Sequence, residues 1–156
     1  MSPRPKLDMT FEEIVALLRE PHTGVLSTLR RDGYPHSVGI YYVPVVTEPL
    51  EIHMWVYAKS QKAVNVRRDP RSSLLVEAGR PYADLRGVLV TGNSRVVTEF
   101  EKVLELGKKV YERYFEPNTG VGLADAGPGI ERQARKRAAL IMTATGYASW
   151  DHSRAG

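Results

Sequence analysis

The segment Lys59-Ser60-Gln61-Lys62 has the residue types and spacing of an anion-binding site. It stands where a predicted strand ends and a predicted helix begins. A helix N-terminus presents free backbone N–H groups and a partial positive charge. A hydroxyl and two lysines at that point are compatible with a phosphate cradle. The residues alone favour the other interpretation, a surface helix that Ser60 caps, with solvated lysines on either side.

Other catalytic chemistry has little support in the sequence. The chain contains no cysteine, which excludes disulfides, thiolate metal sites and cysteine nucleophiles. Its four histidines, at positions 22, 36, 53 and 152, lack the spacing of a zinc site, so we predict no metal. Ser27 lacks the G-x-S-x-G context of a hydrolase nucleophile.

The length of 156 residues, with 42% hydrophobic and 26% charged residues, predicts one globular domain over residues 1–156. No window approaches the roughly 20 apolar residues of a membrane helix, and the N-terminal residues do not resemble a secretory signal. We therefore expect a cytoplasmic protein with no membrane partner. The net charge is +4, and basic residues concentrate at Lys59–Arg71 and Arg132–Arg137. Two separate clusters favour a small anionic ligand over nucleic acid.

Hydrophobic periodicity predicts helices and strands along the whole chain. Thr10 and Glu13 form a capping-box pattern for a helix over residues 10–20, and Arg31-Asp32-Gly33 is a turn signal. The predicted strands are Thr23–Leu29, Tyr34–Val46, Leu50–Ala58, Ser72–Glu77, Leu85–Thr98 and Ala138–Tyr147. The further predicted helices are Ser60–Arg68, Phe100–Phe115 and Ile130–Lys136, with a Gly/Pro-rich loop over residues 116–128. Gly87 and Gly92 indicate a bulge or a close backbone approach.

The third predicted strand has two distinct faces. One face, expected in the core, carries Ile52, Met54, Val56 and Ala58. The other carries Glu51, His53, Trp55 and Tyr57. This second face is too aromatic to be purely solvated, so we expect it to meet a ligand or a second subunit. The strand order predicts a mainly β (α+β) fold, a closed or nearly closed six-stranded antiparallel barrel with peripheral helices.

Four collinear segments, GVLSTLRRDGYPHSVGI, SQKAVNVRRDPRSSLLVE, YADLRGVLVTGNSRVV and SWDH, resemble the pyridoxamine 5'-phosphate oxidase-like split-barrel proteins. The similarity is strongest to the actinobacterial branch that uses the deazaflavin coenzyme F420. It implies a split β-barrel and a homodimer with two sites at the subunit interface. The sequence departs from the pyridoxamine phosphate oxidases proper in lacking their longer C-terminal substrate-binding region, so vitamin B6 oxidation is not implied.

The resemblance also implies roles for individual residues. Ser60 and Lys62, supported by Lys59, match the segment that binds the cofactor phosphate. The strand residues Met54, Trp55, Val56 and Tyr57 match those that lie along the isoalloxazine ring, chiefly through their backbone. Gly39 and Tyr41, within the stretch 39–42, border the same pocket. Trp150 and Asp151 match a C-terminal segment that reaches toward the partner's site.

The resemblance implies an F420-dependent oxidoreductase that transfers hydride from the reduced deazaflavin to a small electron-poor acceptor. Hydride transfer of this kind requires no protein base, which suits a sequence without an evident acid–base pair. The proton would come from water or from Tyr41, Tyr42 or His53. Two alternatives remain open: an FMN-binding oxidoreductase of the same fold, and a non-catalytic flavin- or tetrapyrrole-binding module.

Overall fold

The computed structural model describes residues 6–155, in which seven strands form one sheet. The elements are α1 Phe11–Arg19, β1 Gly24–Leu29, β2 Pro35–Ile40, β3 Val43–Val45, β4 Glu51–Tyr57, α2 Gln61–Arg68, β5 Arg71–Ala78, β6 Arg86–Val97, α3 Phe100–Tyr114, α4 Glu116–Thr119, α5 Leu123–Ala134 and β7 Arg137–Asp151. None of the helices in the described residues is both long enough and apolar enough to cross a membrane.

The strands follow the order β2-β1-β5-β6-β7-β4-β3, and every neighbouring pair is antiparallel. The two edge strands, β2 and β3, are consecutive in the chain and are joined only by Tyr41 and Tyr42. Because three Cα–Cα steps span at most about 11 Å, the edges must lie close together. The sheet therefore curls into a barrel that stays split between β2 and β3.

The predicted fold class, an antiparallel split barrel with peripheral helices, is confirmed, although the sheet has seven strands rather than six. The stretch predicted as one strand, Tyr34–Val46, is divided between the two edges of the sheet. At the division, the backbone N–H and carbonyl of Tyr42 form hydrogen bonds with the side chain of Tyr114 instead of with a neighbouring strand. The Tyr42 N–H donates to the Tyr114 hydroxyl over 3.3 Å, and that hydroxyl lies 2.9 Å from the carbonyl oxygens of Tyr42 and His22.

The main core fills the barrel. Alternate residues of β4 point inward, as the sequence predicts: Ile52, Met54 and Val56 are fully buried. Leu17 and Leu18 of α1 join this core from one side, and helix α2 contributes Ala63 and Val66. A second, smaller cluster lies outside the barrel, where α3 covers the outward faces of β4 and β7. Its strand residues include Trp55, Ala139 and Ile141.

Helix α1 is fixed at both ends. The predicted capping box is confirmed: Thr10 Oγ1 accepts from the Glu13 N–H, and the Glu13 carboxylate accepts from the Thr10 N–H. At the other end, the Arg113 guanidinium of α3 donates to the backbone carbonyls of Leu18, Arg19 and Glu20, each 2.7–2.8 Å away. Because the last carbonyls of a helix lack intrahelical partners, Arg113 acts as a C-terminal cap supplied by another helix.

Two glycines of β6 allow close backbone approaches, as predicted. The β6–β7 register shifts between Thr91 and Gly92, and a Cβ at Gly92 would collide with the backbone carbonyl of Thr143. At Gly87, the missing side chain leaves room for the indole of Trp150 across the ladder.

The predicted loop over residues 116–128 is wrong, because most of that segment is helical. Helix α5 runs through Gly127, Pro128 and Gly129 despite their low helix propensity. Its buried residues, Ile130 and Ala134, explain the difference. Packing of this face against the barrel and α3 outweighs a local preference of about 1 kcal/mol for each glycine.

Candidate functional site

A cleft of about 320 Å³ opens at the split of the barrel, where the end of β2 faces the end of β4. Helix α2 closes one side of this β2–β4 cleft, and the C-terminal part of α3 closes another. The lining residues are Gly39, Ile40, Tyr41, Trp55, Val56, Tyr57, Lys62, Val110, Phe115 and Arg137. The cleft thus combines apolar and aromatic walls with two cationic side chains.

Arg137 lies on the aromatic face of β4. The β4–β7 register places it directly opposite Tyr57. Its guanidinium carbon is 3.9 Å from the Tyr57 ring centroid and 4.5 Å from that of Trp55. One terminal nitrogen donates to the Trp55 carbonyl over 3.4 Å, whereas Nε is buried and has no hydrogen-bond partner within the described part of the chain. Cation–π contacts therefore hold the guanidinium in place without neutralising it.

Lys62 supplies the second positive charge, from the first turn of α2. Partial burial, together with the charge of Arg137, lowers the pKa of Lys62. Within residues 6–155, neither Lys62 nor Arg137 has a carboxylate within ion-pair distance. Two close cations without a counter-charge make the cleft suited to a group with at least one negative charge.

Ser60 occupies the N-cap position of α2, yet its side chain makes no capping hydrogen bond. The predicted capping role of the hydroxyl is therefore wrong, although the predicted helix start is correct. The Ser60 Oγ is buried and has no hydrogen-bond partner among residues 6–155. A buried hydroxyl without a hydrogen bond is costly, but Ser60 does not line the β2–β4 cleft. The fit of the cleft to a phosphate group therefore rests on Lys62 and Arg137.

The remaining wall of the cleft is aromatic. The Tyr41 ring stacks on Tyr114 at a centroid distance of 4.2 Å and meets Phe115 edge-on at 5.5 Å. Trp55 lies against α3 at Gly107, where an added Cβ would come within 2.7 Å of the indole. A wall of this kind suits a planar conjugated ring.

A second cavity, of about 590 Å³, lies where helix α2 faces the β1–β2 hairpin. It is lined by Arg30, Arg31, Asp32, His36, Gln61, Val64 and Arg68. Asp32 pairs with Arg30 at 2.8 Å, and it is the one carboxylate that the described residues contribute to the lining of this hairpin cavity. The consecutive residues Gln61 and Lys62 line different cavities, so the first turn of α2 separates two basic spaces.

The structure brings together six of the ten residues predicted to bind a cofactor: Gly39, Tyr41, Trp55, Val56, Tyr57 and Lys62. Lys59 is exposed and does not line the cleft. The Met54 side chain lies in the barrel core, on the opposite face of β4 from Trp55, which leaves only its backbone near the cleft.

Trp150 lies elsewhere in the same chain, near the opposite end of β7 from Arg137. Its indole N–H donates to a Glu77 carboxylate oxygen over 3.2 Å. The aromatic face of β4 is also covered differently from the expectation: α3 of the same chain packs on Trp55, so neither a ligand nor a second subunit is needed to bury that side of the indole.

Two of the three candidate proton donors lie away from the cleft. Tyr42 is fully buried and donates to the Glu20 carbonyl, and burial raises the pKa of its hydroxyl. His53 bonds to Glu51 at 2.8 Å and lines a separate surface cleft beside α3. Tyr41 alone of the three lines the β2–β4 cleft.

Sequence reasoning missed Arg137, Val110 and Phe115. Arg137 belongs to a basic cluster that the sequence shows, but only the register of β4 against β7 places it beside Tyr57. Val110 and Phe115 come from the end of α3, and no local pattern relates that end of a helix to a strand far earlier in the chain.

The barrel and its cleft define a class of split-barrel proteins with a cationic, aromatic-walled binding site. More particularly, the chain belongs to the pyridoxamine 5'-phosphate oxidase family, whose sequence model matches residues 10–151. The resemblance inferred from the sequence is thus confirmed at the level of the family.

Solved structures agree with this assignment. A conserved hypothetical protein from Mycobacterium tuberculosis is 36% identical, with a TM-score of 0.84, over 99% of this chain and 92% of that one. An F420 reductase is 24% identical, with a TM-score of 0.64, over 85% of this chain and 94% of that one. An FAD-binding protein from Mesorhizobium loti is 16% identical, with a TM-score of 0.62, over 90% and 94% of the two chains. The last two show likeness of fold alone.

Proposed function

We propose that this protein is an F420-dependent oxidoreductase that transfers hydride from the reduced deazaflavin to a small electron-poor acceptor. One observation carries the proposal: Lys62 and Arg137 line an aromatic cleft, and neither has a carboxylate partner among residues 6–155. A planar ring with a phosphorylated side chain complements both properties of this cleft.

In this proposal, Lys62, Arg137 and the Ser60 hydroxyl hold the cofactor phosphate, with Lys59 adding long-range positive potential. The backbone of residues 54–57 and the stretch from Gly39 to Tyr41 lie along the ring. The bound cofactor supplies the hydride, and the protein supplies position, electrostatics and exclusion of water. The acceptor gains that hydride and a proton, which comes from solvent or from the Tyr41 hydroxyl.

The hairpin cavity supports the choice of F420 over FMN. F420 carries an anionic tail beyond its phosphate, and a cavity that adjoins the first turn of α2 offers Arg30, Arg31 and Arg68 to such a tail. FMN ends at its phosphate and has no tail to occupy this cavity. The name of one structural neighbour, F420 reductase, is in keeping with the same choice.

Titration of the purified protein with F420 and FMN side by side tests the proposal. We expect F420 fluorescence to change saturably with a Kd of about 1 μM or below, and FMN to bind more weakly. Tight FMN binding without a response to F420 would make the FMN-binding oxidoreductase the better description. Binding of a tetrapyrrole such as haem, without turnover of any acceptor, would favour the non-catalytic module.

We also propose a homodimer, in which Trp150 and Asp151 of one copy approach the cleft of the other. Trp150 lies at the far end of β7 from its own chain's cleft, so in this proposal it approaches the cleft of a second copy. Light scattering coupled to size-exclusion chromatography should give twice the mass of 17.5 kDa. A monomer at micromolar concentration would contradict this proposal.

A further inference from the structure

We propose that a second, mainly apolar cleft, formed by α3 and α5, is a ligand site that selects planar aromatic carboxylates. This ligand class rests on the lining of the cleft itself and does not depend on the proposed cofactor. This α3–α5 cleft has a volume of about 340 Å³. That volume falls within the range of about 300–1,000 Å³ typical of small-molecule sites.

The α3–α5 cleft adjoins the β2–β4 cleft directly. Trp55 and Phe115 line both, so a molecule in one is separated from a molecule in the other by a single layer of side chains. Trp55 packs closely on α3 at Gly107, where the missing side chain leaves room for the indole. The indole therefore forms part of the wall between the two clefts.

The lining of the α3–α5 cleft defines the chemistry of its ligand. Helix α5 contributes Ala126, Gly129, Ile130 and Gln133, whose spacing places them on one face of the helix. Two of these residues are too small to fill the space opposite Trp55 and Tyr111. The result is an apolar slot with aromatic walls, which complements a flat ring.

One cation stands at the edge of this slot. Arg132 lines the cleft, is exposed, and has no carboxylate within ion-pair distance in the described part of the chain. The neighbouring Arg135, by contrast, pairs with Glu131 at 3.0 Å. An apolar slot with one free guanidinium at its rim complements an aromatic ring that carries a carboxylate.

The test uses 2-naphthoate as a probe and the cofactor-free full chain. The sequence has two tryptophans, so an amide NMR spectrum gives two indole N–H signals, and Trp55 is assigned by elimination in the Trp150→Phe variant. We expect 2-naphthoate to shift the Trp55 signal saturably, with a Kd of about 0.1–1 mM. The absence of saturation up to about 10 mM would overturn the proposal.

Two variants of α5 form a matched pair. Ala126→Leu fills the slot and should weaken 2-naphthoate binding at least tenfold, whereas Ala124→Leu, at an exposed position of the same helix that does not line the slot, should leave it within about twofold. Equal effects of the two variants would contradict the proposal. Arg132→Met should weaken 2-naphthoate but not the uncharged 2-naphthamide, and equal losses for both probes would remove the carboxylate from the ligand class.

A parallel titration with F420 separates the two proposals. Ala126→Leu should leave F420 affinity unchanged, and F420 should not displace 2-naphthoate. Competition between the two ligands would show one shared site and overturn the inference of a second. If 2-naphthoate binds as expected while F420 does not bind at all, the α3–α5 site stands and the proposed cofactor is wrong.

Discussion

The guanidinium of Arg137 lies 3.9 Å from the ring centroid of Tyr57, directly across the β4–β7 ladder. This contact fixes a positive charge at the rim of the β2–β4 cleft, close enough to Lys62 to lower the pKa of that lysine. Like charges held together without a counter-ion disfavour each other, and a bound anion relieves the repulsion. Substitution of Arg137 and of Lys62 should therefore each change the affinity of the cleft for an anion.

Arg137→Met removes the charge while it preserves much of the apolar contact with Tyr57 and Trp55. We expect F420 affinity to fall about 10- to 100-fold, because a charge-assisted contact contributes about 1.5–3 kcal/mol. Arg135→Met, on the exposed side of the same turn, is the matched control and should have little effect. Fluorescence titration measures both variants, and equal affinities would remove Arg137 from the site.

Anion affinity should fall as pH rises from neutrality toward 10.5, the ordinary pKa of a lysine. The pKa of Lys62 in the free protein is lowered, chiefly by burial, and a bound anion raises it again, so binding takes up a proton in this interval. Lys62→Arg keeps its charge throughout and should flatten the dependence. Ionisation of F420 itself affects the wild-type protein and the Lys62→Arg variant equally, so the difference between their pH dependences reports on Lys62. The same pH dependence of affinity in both proteins would show that Lys62 does not contact the anion.

Tyr114→Phe should lower the free energy of unfolding by about 1–3 kcal/mol, because the buried N–H of Tyr42 loses its acceptor. The matched control is Tyr111→Phe in the same helix, whose hydroxyl donates to the Val121 carbonyl in an exposed setting. Urea denaturation of both variants measures the difference. A loss at Tyr111 as large as that at Tyr114 would contradict the role of the buried hydroxyl at the β2–β3 crossing.

Gly107→Ala should destabilise the protein by about 1–3 kcal/mol, because the new methyl group would lie 2.7 Å from the Trp55 indole. Gly127→Ala offers the opposite case within a helix, since nothing lies within 4 Å of its added Cβ. Higher helix propensity should then stabilise the protein by up to about 1 kcal/mol. Thermal unfolding compares the two, and a stabilised Gly107→Ala would show that Trp55 is free to move.

The sequence by itself determined most of the local elements, and six of the ten residues that it predicted to bind a cofactor line the cleft. Alternation along β4 separated Met54 and Val56 from Trp55 and Tyr57, because a strand sends successive side chains to opposite faces. The capping box at Thr10 fixed the start of α1 for a similarly local reason. The residues from Lys59 to Lys62 led to the prediction of an anion site, because a helix start and a basic cluster are both short-range features, and of these residues Lys62 lines the cleft.

Only the tertiary structure decided which distant residues complete the cleft. Strand register brings Arg137 to Tyr57, and the packing of α3 brings Phe115 to the cleft that Trp55 lines. Neither relation has a local signature. The same cause explains the incorrect loop over residues 116–128. Ile130 and Ala134 gain burial only once the barrel exists, so helix α5 depends on a surface that the sequence of the helix does not contain.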